Sequence, residues 1–196
     1  GAAVQVAALS AALAGALLLT WTERVWPEVQ EAVIGVTFVL AATGSVLLLA
    51  SNVHGSEHLR DHLLVGQILW VQPARLLWVA AAYGLILILW FAARERLGQI
   101  GFYALFAVAV TLSVQLVGLY LVFATLIVPP LATRRMARRR LPAAWLLSIT
   151  AYATGLMLST ALDLPTGPVI VWVLVALALV WHATTARRAV MGDGQS

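Results

Sequence analysis

Long apolar stretches alternate with short polar ones along the whole chain, and this pattern predicts about seven membrane segments. A helix that crosses a bilayer needs about 20 predominantly apolar residues. Blocks close to this length recur from one end of the chain to the other. The predicted segments are 3–21, 30–51, 74–93, 100–116, 118–133, 142–161 and 167–183. The sequence therefore predicts an all-α fold, a polytopic transmembrane helical bundle that forms a single domain over residues 1–196.

The apolar stretch 100–133 is too long to be one crossing. As a single helix it would measure roughly 50 Å at about 1.5 Å per residue, against a hydrocarbon core of about 30 Å. Gln115 and Gly118 mark the predicted break. Two short crossing helices or a re-entrant pair would each fit this length.

Composition agrees with a membrane protein and excludes several kinds of chemistry. Hydrophobic residues make up 62% of the chain and charged residues only 10%, whereas soluble domains carry about 25% charged residues. Cysteine is absent, which excludes disulfides and thiolate metal sites. Lysine is also absent, so the chain lacks the lysine of a phosphate-binding P-loop. Any ATP hydrolysis by that route would belong to another subunit, and the chain itself is predicted not to be an enzyme.

All 12 basic residues are arginines, and they indicate an orientation. Arginine concentrates on the cytoplasmic side of membrane proteins. Because these arginines lie at the ends of apolar blocks, membrane orientation explains the basic charge better than nucleic-acid binding does. If all seven segments cross, only Arg60 and Arg75 fall outside. The other ten fall inside, at positions 24, 94, 96, 134, 135, 138, 139, 140, 187 and 188. This predicts a cytoplasmic Arg-rich loop at 134–141, a cytoplasmic C-terminal tail at 185–196, and an external loop with an interfacial segment at 52–72.

The external loop carries a cluster of metal-seeking side chains, which are His54, Glu57, His58, Asp61 and His62. Imidazole and carboxylate ligands together suit zinc or manganese. A solvated polar loop, a transient metal-capturing or metal-sensing site, and a closed metal site all remain open. His54, Glu57 and His58 also match an inverted zinc-protease signature. An enzyme is disfavoured because Gly55 interrupts the motif and no soluble domain supplies a third ligand or a substrate cleft.

Small residues and turn residues near the C-terminus predict how the last two segments pack. Ala151, Gly155 and Ser159 recur at intervals of four, which lets two helices approach closely. The stretch from Asp163 to Pro168 is predicted to form a tight external turn.

Four blocks of the sequence resemble the zinc and manganese permeases of ATP-binding-cassette importers, in the order found in that family. They are Glu31–Val36, Leu63–Leu69, Val114–Arg135 and Gly155–Val171. The positions that carry the signature, and for which the resemblance implies structural roles, are Gly35, Gly66, Gly118, Pro129, Asp163, Pro165 and Gly167.

The resemblance implies a membrane subunit similar to those of cobalamin-type importers, in the bacterial inner membrane with a cytoplasmic C-terminus. Such subunits pair as homodimers, bind a cytoplasmic ATPase subunit and receive metal from an external binding protein. Zinc or manganese would be the transported substrate, with no tightly bound cofactor. Arg94, Glu95, Arg96 and Gly98 lie where the ATPase would dock.

Two departures from the family pattern keep an alternative open. The first spans of the family are expected to have no counterpart in this sequence, and 91–101 is predicted to be too short for the helix that couples such permeases to their ATPase. The alternative is a non-transport membrane module for metal sensing or scaffolding that retains a permease-like fold.

Overall fold

The computed structural model describes residues 2–51, 73–136 and 139–192, and these ranges are helical almost throughout. A 3₁₀ turn, Pro27–Val29, joins the first two helices. The α-helices in the described ranges are α1 (Ala2–Val25), α2 (Gln30–Ser51), α3 (Pro73–Val117), α4 (Leu119–Ala132), α5 (Arg140–Leu162) and α6 (Thr166–Gly192). Within these described ranges, five helical stretches are long and apolar enough to cross a membrane, and two shorter apolar ones are Leu77–Ala92 and Leu119–Ala132. The predicted helical bundle is confirmed.

Helix α3 is a hairpin of two antiparallel helices that reverses at Gly98. Gly98 is the non-helical residue within it, with φ 57° and ψ −157°. The Tyr83 hydroxyl donates to the Ala109 carbonyl oxygen at 2.9 Å, and the Trp90 and Phe102 ring centroids are 5.4 Å apart. Both pairs are centred on residue 96, two residues before Gly98, as expected when the chain folds back on itself there. The two segments predicted at 74–93 and 100–116 are therefore separate helices.

The predicted break in the stretch 100–133 falls at Gly118. This residue has φ 89° and ψ 158° and precedes α4, a conformation that glycine adopts without a steric penalty. Helix α4 has 14 residues and spans only about 21 Å at about 1.5 Å per residue. It is thus one of the short helices that the sequence predicted.

The core lies between α2, α4, α5 and α6. The buried apolar residues that pack together there are Val39, Leu121, Ala124, Val128, Leu147, Ala151, Ile170, Val171 and Leu174. Helices α1 and α3 contribute none of the buried apolar residues described by the structure. Leu13 of α1 and Trp78 of α3, for example, are 65% and 79% exposed. In a membrane, these two elements present their apolar surface to lipid or to other helices.

The predicted small-residue stripe of α5 packs against α6. Ala151, Gly155 and Ser159 are all buried, and a β-carbon added at Gly155 would lie 2.9 Å from the Ile170 α-carbon. The two helix backbones approach this closely because residue 155 carries no side chain.

Adjacent helices of the core run antiparallel, except that α4 and α6 run in the same direction. Along α2, Gly35 faces Ile127 in the second half of α4, while Phe38 faces Tyr120 near the start of α4. Helices α2 and α4 are therefore antiparallel.

Helix α5 runs back along α4, since Thr125 contacts Tyr152 and Arg140, the first residue of α5, reaches Pro130. The start of α2, the end of α4 and the start of α5 therefore share one end of the bundle, here called the arginine-rich end because it holds Arg134 and Arg140.

Candidate functional site

The predicted metal cluster lies outside the described residues. His54, Glu57, His58, Asp61 and His62 all fall in 52–72, and so does Gly66. The described parts of the chain contain no group of three or more His, Asp or Glu side chains that could hold a metal. Metal binding by the loop therefore stays a prediction. The described helices on either side of the loop end at Ser51 and begin at Pro73.

The predicted ATPase contact lies at the tip of the α3 hairpin. The backbone of Arg94, Glu95 and Arg96 continues the first helix of the hairpin, and Gly98 makes the reversal. Arg96 and Gly98 are exposed. The reversal takes place at a single non-helical residue, so the described chain holds no separate helix between the two arms. This geometry agrees with the prediction that 91–101 is too short for a coupling helix.

The chain turns sharply between α5 and α6, at the end opposite Arg134. Asp163 caps α5 in the left-handed conformation with φ 52°, which aspartate tolerates better than most residues. The Ser159 hydroxyl donates to the Leu164 carbonyl oxygen at 2.7 Å and lies 3.0 Å from the Thr166 hydroxyl. Pro165 directly precedes α6, and Gly167 is buried in its first turn. The signature residues of this turn thus close the α5–α6 hairpin.

Two signature residues of the first and third blocks, Gly35 and Pro129, also lie at helix contacts. A β-carbon added at Gly35 would lie 2.8 Å from the Ile127 Cδ1 atom, so α2 and α4 pack closely there. Pro129 is buried inside the last turn of α4. Its carbonyl oxygen accepts from the Thr133 hydroxyl at 2.9 Å and from the Thr133 backbone N–H at 3.1 Å. These contacts satisfy part of the backbone at the end of α4.

The arginine-rich end contains two concavities that the sequence did not predict. A groove of about 240 Å³ lies between α2, α4 and α6, and its lining includes Trp26, Arg134 and His182. A second cleft of about 460 Å³ shares Arg134 with the groove and adds Glu31 and Arg140. The polar residues come from elements far apart in sequence. The one sequence signal that could place them together is their position at segment ends that the arginine pattern puts on the same side of the membrane.

The arginines of this end agree with the grouping predicted from charge. Arg24 closes α1 two residues before Trp26, which lines the same groove as Arg134. Helix α6 continues at this end beyond His182 to Gly192, further than the predicted end of its span at residue 183. The first part of the predicted C-terminal tail is therefore helical.

Comparison with known proteins identifies the family. No curated protein matches the chain, and no solved structure matches it. The model of the ABC 3 transport family matches residues 1–102 and, separately, residues 95–185. The two matches meet at 95–102, which includes the Gly98 reversal. Because the matches cover more than half of the chain, this helical bundle belongs to the ABC 3 transport family and is a membrane component of an ATP-binding-cassette transport system.

Proposed function

We propose that the protein is the membrane-spanning subunit of a divalent-metal importer that carries zinc or manganese. The observation that carries the proposal is the family match, which extends over both halves of the chain. The four sequence blocks narrow it to the zinc and manganese type, because they resemble that branch in order. In this proposal two copies form the translocation path, a separate cytoplasmic ATPase drives it, and an external binding protein delivers the metal.

The fold supports a division of roles between the two ends of the bundle. Arginine concentrates on the cytoplasmic side, so we infer that the end with Arg134 and Arg140 faces the cytosol. Helix α2 starts at that end and has 22 residues, or about 33 Å at about 1.5 Å per residue. This is enough to cross the bilayer, so residues 52–72 would emerge outside, where a binding protein delivers metal.

The external histidines are proposed to capture metal and not to store it. A transport site must bind its ion firmly enough to admit it and weakly enough to release it. Three imidazoles and two carboxylates in nine residues would raise the local concentration of zinc or manganese at the entrance.

Metal uptake by cells with and without the gene tests this function. Accumulation of radioactive zinc and of radioactive manganese is measured at limiting supply, with the gene restored on a plasmid as the control. We expect uptake of one of the two metals to fall on deletion and to recover on restoration. Unchanged uptake of both metals at limiting supply would contradict the proposal.

One observation favours the alternative, a non-transport sensing or scaffolding module. The Gly98 reversal occupies a single non-helical residue, which leaves little surface for an ATPase at that turn. Affinity purification from native membranes separates the two functions. Recovery of an ATP-binding-cassette subunit with the protein supports the transporter. Its absence, while the protein itself is recovered intact as a multimer, supports the scaffold.

A further inference from the structure

The groove at the arginine-rich end is aliphatic over most of its length. Its walls include Val33 and Val36 from α2 and Val175, Ala178 and Leu179 from α6. A wall of this kind offers water few hydrogen bonds, and apolar cavities favour apolar occupants. The volume of about 240 Å³ corresponds to roughly eight groups the size of a water molecule, at about 30 Å³ each.

The mouth of the groove is cationic and aromatic. Arg134 is half-buried there and also lines the adjoining cleft together with Arg140 and Glu31. The Arg140 guanidinium is held near the end of α4, since its Nη2 donates to the Pro130 carbonyl oxygen at 3.4 Å. Trp26 and His182 complete the mouth. Glu31 lines the cleft and not the groove, so Arg134 is the charged residue that both concavities share.

We propose that the groove binds one acyl chain of an anionic phospholipid, with the lipid phosphate beside Arg134 and Arg140. The mouth lies where α2 begins and α4 ends, which is the depth of lipid headgroups and of interfacial tryptophan and arginine. The aliphatic walls continue from there into the bundle. Basic pockets between membrane helices bind anionic headgroups. The aliphatic groove, which has room for part of an acyl chain, distinguishes this site from a surface that attracts any anion. The inference rests on the membrane location of the protein and not on the metal that it carries.

Lipid titration followed by native mass spectrometry tests the headgroup contact. Purified protein in detergent is titrated with dioleoylphosphatidylglycerol and, separately, with dioleoylphosphatidylcholine. We expect the anionic lipid to bind more tightly, and Arg134→Gln to weaken its binding about fivefold, the effect of about one arginine near a membrane surface. Arg135→Gln is the matched control, because this exposed neighbour lines neither concavity but loses the same charge. Equal binding of both lipids, or an equal effect of the two substitutions, would overturn the proposal.

The acyl-chain contact has its own pair of variants. Ala178→Phe places a ring in the groove without changing charge, and we expect it to weaken binding of both lipids at least fivefold. Ala176→Phe, on the exposed side of α6, should leave binding unchanged.

Competition with inorganic phosphate separates a lipid site from a simple anion site. Inorganic phosphate at millimolar concentration should not displace the anionic lipid. Displacement by phosphate would show an anion site without a chain, and an unaffected Ala178→Phe protein would show that the groove is not occupied.

Photocrosslinking of the unmodified protein gives a test that does not depend on variants. An anionic phospholipid with a diazirine on its acyl chain is incorporated into nanodiscs, and the labelled peptides are mapped. We expect labels on Val33 and Val36 of α2 and on Val175 and Leu179 of α6. Labels on exposed α1 positions such as Leu13 with none on the four groove residues, or a protein segment found in the groove in place of lipid, would overturn the proposal.

Discussion

A β-carbon built at Gly155 would lie only 2.9 Å from the α-carbon of Ile170. This distance is shorter than real β-carbon contacts allow, and backbone cannot move aside as the tip of a side chain can. The contact therefore fixes the separation of α5 and α6, the two helices whose hairpin closes at Asp163. It also makes residue 155 sensitive to any added side chain.

Gly155→Leu should lower the stability of the bundle. Inserting a side chain into a packed contact costs about 1–3 kcal/mol, and here the added atoms meet the backbone of α6. Thermal unfolding in detergent measures the loss. Gly15→Leu is the matched control, because nothing lies within 4 Å of a β-carbon added at that position. Equal melting temperatures of the two variants would show that residue 155 does not lie at a tight contact between α5 and α6.

Gly98→Ala should also destabilise the protein, but for a different reason. Space is available around Gly98, yet its φ of 57° with ψ of −157° is close to a region that essentially only glycine occupies, at a cost of about 1–3 kcal/mol for other residues. Gly84→Ala is the control, since Gly84 has equal space but lies within a helical arm of the hairpin. A loss of melting temperature confined to Gly98→Ala would locate the strain in the reversal. Equal behaviour of the two variants would argue against the hairpin geometry.

Sequence patterns predict where the helices of this fold begin and end better than they predict which helices pack against each other. The stretch 100–133 had to break because of its length, and Gly118 was the residue nearest its middle that could break it. The reversal between 93 and 100 followed from arginines that interrupt the apolar pattern. Block length and charge carry this information because a bilayer limits how long a span can be and where arginine can lie.

The groove could not be predicted in the same way. Its residues Trp26, Arg134 and His182 come from three elements, and helices that are apolar on every side do not indicate which faces meet. The contact between Thr125 and Tyr152 was hidden for the same reason. The 52–72 loop was the candidate that sequence favoured most, and it lies outside the described residues, so its chemistry is left to experiment.

The hydroxyl contact between Thr125 and Tyr152, at 3.0 Å, should couple α4 to α5. A double-mutant cycle with Thr125→Val and Tyr152→Phe should give a coupling energy of about 0.6 kcal/mol, the average for hydrogen bonds between membrane helices. Unfolding in detergent measures each variant. A second cycle that replaces Thr125→Val by Thr150→Val serves as the control, since the Thr150 hydroxyl donates to the Leu146 carbonyl oxygen of its own helix. Equal coupling in both cycles would show that the Thr125 contact does not join the helices.

Replacing His54, His58 and His62 together by alanine should reduce metal uptake mainly when metal is scarce. The loss follows from the proposed role of the loop in raising local metal concentration, which matters little at high supply. Uptake of radioactive zinc and manganese is measured over a range of concentrations, with Ser56→Ala in the same loop as the control. A triple variant with normal uptake at the lowest concentration would identify the loop as solvated and without a role in capture.

The orientation of the bundle can be tested directly because the chain contains no cysteine. A single cysteine introduced at Ser56 or at Arg135 is then the sole target for a membrane-impermeant maleimide. We expect Ser56→Cys to react in intact cells, since α2 starts at the arginine-rich end and crosses to the other side. Arg135→Cys, exposed at the arginine-rich end, should react only after the membrane is opened. Permeabilised membranes should label both variants and so control for reactivity. The reverse pattern, with Ser56→Cys protected until permeabilisation, would place the histidines in the cytosol and remove the basis for metal capture from outside.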